Sequence, residues 1–294
     1  MNKKALVIIN PHAGMKKSKK AMFEIVNRLS NAGYSVTAQT TAAPGDGTRM
    51  VKNFGAGHDL LVCCGGDGTL NEVINGLREA ELQIPIGYIP AGTTNDFART
   101  LGLKPKPDQC MDKILEGYPH NCDIGSFNGR NFTYIASLGA FTDVSYSTPQ
   151  KMKNIFGHTA YLLEGAKAVS SIAPFKAELW IDDEYFEGEF LFGSISNSTS
   201  IGGLFRLDRL DVRLDDGELE LIFIRNPQKP GDLNRTIQSA VKGNYDPAHI
   251  IFRHCREAVV RTEKPQSWTI DGECGGEQTE VKINVQNDAI KIFY

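Results

Sequence analysis

The sequence predicts an α/β half followed by an all-β half, organised as two domains. Three observations predict this. Up to about residue 120, short apolar runs alternate with segments of helical period. Beyond residue 123, strand-length runs succeed one another with turn dipeptides between them. The length, 294 residues, suits two domains of ordinary size.

The first half reads element by element. Lys4–Ile9 is an apolar strand that runs into Asn10-Pro11. Ala21, Met22, Ile25, Val26 and Leu29 then recur at helical spacing, and Gly33 stops that helix. Tyr34–Thr41 is the second strand, and Met50, Val51 and Phe54 mark the second helix. Leu60–Cys64 is apolar throughout, as a parallel strand covered on both faces would be. Leu70, Val73, Ile74 and Leu77 give the next helix, and Pro85–Ile89 the next strand. Alternation of β and α predicts a parallel sheet joined by right-handed crossovers.

In the second half, Asn128-Gly129 between Ile124–Phe127 and Asn131–Ala136 predicts a tight hairpin. Strands are expected at Phe175–Ile181, Phe190–Ser196, Leu219–Arg225, Ile250–Phe252, Ala258–Arg261, Trp268–Ile270, Val281–Val285 and Ile290–Tyr294. Helical patterns interrupt near 158–170 and 231–241. This half is antiparallel β, a sandwich or a barrel. The expected boundary is 1–122 and 123–287, with a last strand at about 288–294 returning to the first domain and a cleft between the two.

Composition narrows the function. The chain is 41% hydrophobic and 23% charged, which is globular, and its net charge of −3 argues against nucleic acid as a partner. No apolar run reaches the about 18 residues of a spanning helix, so no transmembrane segment is expected. Six cysteines without CxxC spacing give neither a disulfide frame nor a zinc site, and a cytoplasmic location is the default.

The most informative stretch is Gly65-Gly66-Asp67-Gly68-Thr69-Leu70-Asn71-Glu72, a buried strand turning through glycines into a helix. Glycines admit a ligand close to backbone N–H groups, and the helix start favours an anion such as phosphate. Thr69 and Glu72 stand at capping-box spacing. GxxxxGK[ST] is absent, and Asn71 occupies the third-glycine place of a dinucleotide fingerprint. A plain strand-to-helix turn is the alternative. Asp67 inside a phosphate cradle calls for a metal ion, or for a loop ordered by hydrogen bonds to its carboxylate. A second turn, Gly92-Thr93-Thr94-Asn95-Asp96-Phe97-Ala98-Arg99, follows the next strand, with Thr94, Asn95 or Asp96 able to cap the helix. Asn10-Pro11-His12-Ala13-Gly14 follows the first strand. All three loops fall on the carboxyl edge of the sheet, where open α/β folds bind ligands.

GGDGTLNEV at 65–73, GTTNDFAR at 92–99, NPHAG at 10–14 and DGE at 271–273 together resemble the diacylglycerol kinase catalytic-domain family, which includes bacterial lipid kinases and the sphingosine and ceramide kinases. The order and spacing match over nearly the whole chain. The resemblance implies an NAD-kinase-like α/β domain and a β-sandwich domain, with ATP and Mg2+ as cofactors and ATP in the cleft. It implies nucleotide contacts at Asn10, Pro11, His12, Ala13, Gly14, Thr41, Gly65 through Glu72, Thr93, Asn95, Asp96 and Arg99. It makes Asp271 the catalytic base, with Glu273 beside it, although Asp-Gly taken alone reads first as a plain turn. It also implies a structural magnesium at Asp216, with backbone oxygens of Arg213 and Glu218.

The partner so implied is a lipid substrate, phosphorylated by an enzyme transiently peripheral to a membrane surface. A homodimer stays open. Met15 stands where many members of the family carry a lysine. Lys16, Lys17, Lys19 and Lys20 compensate for it, attract an anionic membrane, or form a solvated helix start. Lys151 and Lys153 carry the same ambiguity, which Glu164 does not resolve. Diacylglycerol is the first acceptor so implied, with a sphingoid base, phosphatidylglycerol or a polyprenol as alternatives. NAD kinases share GGDGT, so NAD is a further acceptor, and a silent nucleotide-binding regulator is the reading without catalysis.

Overall fold

A computed structural model describes residues 3–13, 17–92, 95–139, 173–201, 205–207, 211–227, 232, 235–236, 239 and 244–294. The predicted helix near 158–170 lies outside them, as do Gly14, Met15, Lys16, Thr93, Thr94, Lys151, Lys153 and Glu164. So do the side chains of Lys17, Lys19 and Lys20, and most of 231–241.

The elements in chain order are β1 (Lys3–Ile9), α1 (Lys17–Asn31), β2 (Tyr34–Thr40), α2 (Asp46–Phe54), β3 (Leu60–Gly65), α3 (Asp67–Glu79), β4 (Ile86–Pro90), α4 (Asp96–Thr100), α5 (Pro107–Glu116) and β5 (Pro119–Phe127). There follow β6 (Arg130–Phe132), β7 (Ile135–Gly139), β8 (Phe175–Ile181), β9 (Glu184–Ser196), β10 (Ser200–Ile201), β11 (Phe205–Arg206), β12 (Leu219–Arg225), β13 (Ile250–Cys255), β14 (Glu257–Ile270) and β15 (Glu273–Phe293). They divide into two compact units. One holds Met1–Ile124, Leu214–Asp216 and Gln286–Tyr294; the other holds Gly125–Arg213 and Gly217–Val285.

In the first unit β1 lies between β2 and β3, parallel to both, and β3 is parallel to β4. Ile292 and Phe293 of β15 add a parallel partner to β4. The apolar runs of β1 and β3 are buried from Ala5 to Ile9 and from Leu60 to Cys64. Ile25 and Leu29 of α1 and Met111 and Ile114 of α5 pack on this sheet in one cluster. Helix α5 goes beyond the predicted elements. Pro107 starts it where a missing N–H costs nothing, and Cys110, Met111 and Ile114 give it a buried face.

The second unit is antiparallel. Strand β12 pairs with β13 and β9, and β7 pairs with β9 and β14. Strands β9 and β14 are long, and each pairs with β7 over one part and with β8 over another. The strands expected at 258–261 and 268–270 are therefore one strand, as are those at 281–285 and 290–294. No turn dipeptide breaks either stretch. Pro265, which has no N–H to offer, instead sits in the register shift between Arg261 and Gln266. The hairpin at Asn128-Gly129 forms as expected, with Phe127 opposite Arg130 and positive φ at both turn residues.

Candidate active site

Because β1 to β4 run parallel, the loops after Ile9, Thr40, Gly65 and Pro90 emerge at one edge of the first unit. Hydrogen bonds join them. Asn10 Nδ2 donates to Thr69 Oγ1 at 3.1 Å, while Asn10 Oδ1 accepts the N–H of His12 at 2.9 Å. Thr41, buried, donates its N–H to the Ile9 carbonyl. The loops after β3 and β4 touch through glycines. A Cβ on Gly92 would lie 2.7 Å from Gly66 Cα, and one on Gly65 would lie 2.6 Å from Thr69 Cβ. Gly65 and Gly92 therefore each have a packing reason to be glycine.

Asp67 takes the ordering role considered from sequence. Its Oδ2 accepts the N–H of Asp96 at 3.0 Å, and Tyr88 Oη reaches Oδ1 at 3.5 Å. Gly66, Asp67 and Gly68 remain partly exposed, whereas Leu70 is fully buried and its N–H bonds to the Gly66 carbonyl. Tyr88 carried no signal in sequence, since it reads as an ordinary apolar-strand residue.

The capping box does not form. Helix α3 starts two residues earlier than Thr69, at Asp67, with Gly66 as its N-cap. Glu72 is drawn away because its two oxygens accept the N–H groups of Gly45 and Gly47 at 2.7 and 2.8 Å. Nor does a side chain cap α4. Asn95 stands at that position in the left-handed conformation, and its Nδ2 turns back to the Gly92 carbonyl. Its Oδ1 is buried without a hydrogen-bond partner. Asp96 is buried, with Arg99 Nη1 3.5 Å from its Oδ1 and Arg99 itself largely exposed. Asn71 accepts from Asn75 Nδ2 through both its carbonyl and its side-chain oxygen.

In the second unit, Asp271-Gly272 is the two-residue turn between β14 and β15, with φ of 50° and 84° and Ile270 opposite Glu273. Asp271 is 7% exposed. Its Oδ2 accepts the N–H of Thr133 at 2.6 Å, and its Oδ1 those of Tyr134 and Ile135 at 3.0 and 3.1 Å. Glu273 is exposed, and its carboxylate pairs with Arg130 at 3.2 Å. Asp216 lies in the bend at 214–217 before β12, which Arg213 and Glu218 flank in sequence. Leu214 and Asp216 count with the first unit, where the Leu214 carbonyl accepts the N–H of Asp123. Asp123, fully buried and unmarked by any motif, also accepts the N–H of Asp288 at 2.7 Å. Among the described residues, no group of three or more His, Cys, Asp or Glu side chains forms a metal cluster.

A model of the diacylglycerol kinase catalytic domain matches residues 4–127, which contain every loop of this edge. A diacylglycerol kinase of Bacillus subtilis (strain 168) is 34% identical over 278 residues, covering 93% of this chain and 91% of the relative. The chain belongs to the diacylglycerol kinase family. Another diacylglycerol kinase, from Staphylococcus saprophyticus, is 33% identical over 295 residues, covering 100% of this chain and 96% of the relative. For the fold, a crystal structure of a diacylglycerol kinase from Bacillus anthracis str. Sterne superposes with a TM-score of 0.77 at 22% identity, over 100% of this chain and 97% of that one. A second structure from the same organism reaches 0.84 at 24% identity, covering 100% and 95%. Membership in the diacylglycerol kinase family makes this chain a kinase, with ATP as its phosphoryl donor.

Proposed function

We propose that the protein transfers the γ-phosphoryl group of ATP to the free hydroxyl of a diacylglycerol, giving a phosphatidic acid. The observation that carries this reading is the pair of glycine loops locked to each other by Asp67, on a chain whose relatives are diacylglycerol kinases. Asn10, Pro11, His12, Ala13, Gly14, Thr41, Gly65 through Asn71 and Thr93 hold the nucleotide in this proposal. The partly exposed start of α3, at Gly66, Asp67 and Gly68, suits the phosphates. Glu72 acts one step back, by fixing the shape of the loops through the N–H groups of Gly45 and Gly47.

The donor chemistry suits Mg2+. Asn95 Oδ1 is a buried oxygen without a partner, and Asp67 and Asp96 add carboxylates nearby on the same two loops. All are hard oxygen donors. A second ion at Asp216, with carbonyls of Arg213 and Glu218, matches that chemistry too. When bound, the ion neutralises phosphate charge during transfer.

Phosphoryl transfer has a loose transition state, so catalysis is chiefly positioning and electrostatics. The acceptor hydroxyl still has to lose its proton, and Asp271 is the proposed acceptor. Three backbone donors fix its carboxylate. No helix among the described residues is long and apolar enough to cross a membrane. In this proposal the lipid is reached by transient binding at a bilayer surface. Chromatography of labelled product from ATP with a lipid panel, and NAD as control, tests the reading. Phosphatidic acid is expected; label on NAD alone, or on nothing, overturns it.

A further inference from the structure

The second unit carries a polar row outside the loops and the hairpin. Thr269 of β14 pairs with Ser137 of β7, which pairs with Ser194 of β9. One step along, Ile135 of β7 pairs with Ser196 of β9, and Ser196 with Glu220 of β12. Residues opposite each other across strands, or two apart along one strand, share a face. Thr269, Ser194, Ser196 and Glu220 therefore lie on one face. The alternate residues Ala136, Ile195, Leu221 and Ile270 take the other face and build the hydrophobic core.

The polar face is closed to water. Ser194 and Ser196 are 0% exposed and Thr269 is 4% exposed. None of their three hydroxyl oxygens has a hydrogen-bond partner. A buried hydroxyl without a partner opposes folding, and alanine or valine would fill the same space at no such cost. Three of them together on one face argue for a ligand that completes their bonds. Their position narrows which ligand. Thr269 precedes Asp271 by two residues, and Asp271 donates its own N–H to Ile135, the cross-strand neighbour of Ser196.

We infer that Ser194, Ser196 and Thr269 form a hydrogen-bonding subsite for the uncharged ester groups of the acceptor lipid, presenting its free hydroxyl to Asp271. The inference rests on the lipid-kinase reading and adds the part of the lipid that is recognised. Hydroxyls donate to ester carbonyls. Glu220, next in the row, offers no counter-charge to a phosphate, and only His254 beyond it, 3.7 Å from the Glu220 carboxylate, could among the described residues of this row. The subsite thus suits a neutral glycerol diester over an anionic phospholipid.

The test compares a short-chain diacylglycerol with the corresponding dialkyl ether, which lacks both carbonyls. Affinity is read in detergent micelles without ATP, and KM is read separately in the kinase assay. Wild-type protein should prefer the ester. Ser194→Ala, Ser196→Ala and Thr269→Val should each weaken ester binding about threefold to tenfold, as loss of one hydrogen bond does, and leave ether binding as it was. Their thermal midpoints should hold or rise, because an unsatisfied buried hydroxyl has been removed. An unchanged ester preference overturns the inference and returns the row to bound water. A lowered midpoint with equal losses for ester and ether overturns it in favour of a structural role. Absence of lipid phosphorylation by wild-type protein strikes the kinase reading instead, and the binding comparison still decides the subsite.

Discussion

The carboxylate of Asp67 accepts the backbone N–H of Asp96 at 3.0 Å, which ties the first turn of α3 to the first turn of α4. Two glycine loops that are separate in sequence thereby become one surface. Gly66 and Gly92 face each other across it, and the space for a Cβ at each ranks two substitutions.

A Cβ on Gly92 would stand 2.7 Å from both Gly66 Cα and Asn95 Oδ1, whereas one on Gly66 would meet Gly92 Cα at 3.3 Å. Overpacking of the first kind costs about 1–3 kcal/mol, and where that strain falls on the binding shape of the loop it weakens ligand binding about fivefold to 150-fold. Gly92→Ala should lose ATP affinity to that extent, and Gly66→Ala should lose far less. Titration calorimetry on both variants, each checked for an intact melting transition, decides. Equal effects would show that backbone contact does not set the loop.

Asp271 serves the hairpin and the proposed chemistry together. Asparagine there keeps one acceptor oxygen and turns an NH2 group toward the N–H donors of Thr133, Tyr134 or Ile135. Asp271→Asn should lower the melting temperature and reduce kcat by about a hundredfold or more, with the KM for ATP unchanged. Steady-state kinetics on folded variant supply the answer. Near-normal kcat with a raised KM for lipid would leave Asp271 as a positioning residue only.

The N–H groups of Ala42 and Ala43, with Arg49 adding to them against the effect of burial, hold Asp46 below the usual carboxylate range. A carboxylate lowered in the folded state stabilises the fold above its unfolded pKa of about 3.9, and this contribution disappears as pH falls through the folded value. Urea midpoints of wild type and Asp46→Asn should therefore differ at neutral pH and converge in acid. Divergence on acidification would contradict the assignment.

Only Cys274 is exposed, and the other five cysteines are buried. Burial pushes Cys64 up to about 12 and Cys110 up to about 11, so neither is a thiolate at neutral pH. A chromogenic disulfide reagent should titrate one thiol in the native protein and all six after denaturation. A Cys274→Ser variant that still reacts promptly would refute this.

The sequence by itself determined the strand-and-helix alternation of the first unit, the antiparallel character of the second and the edge on which the loops lie. These follow from local spacing: apolar runs, helical periods and turn dipeptides such as Asn128-Gly129 and Asp271-Gly272. Tertiary structure alone decided where the polar side chains go. Thr69 and Glu72 stand at capping-box spacing, yet Glu72 bonds to Gly45 and Gly47, because packing of α2 on α3 offers two N–H groups closer at hand. Asp123, Tyr88 and the row of Ser194, Ser196 and Thr269 have no local pattern at all. Their partners, or lack of them, are set by strand register between segments far apart in the chain, and register is a property of the folded sheet.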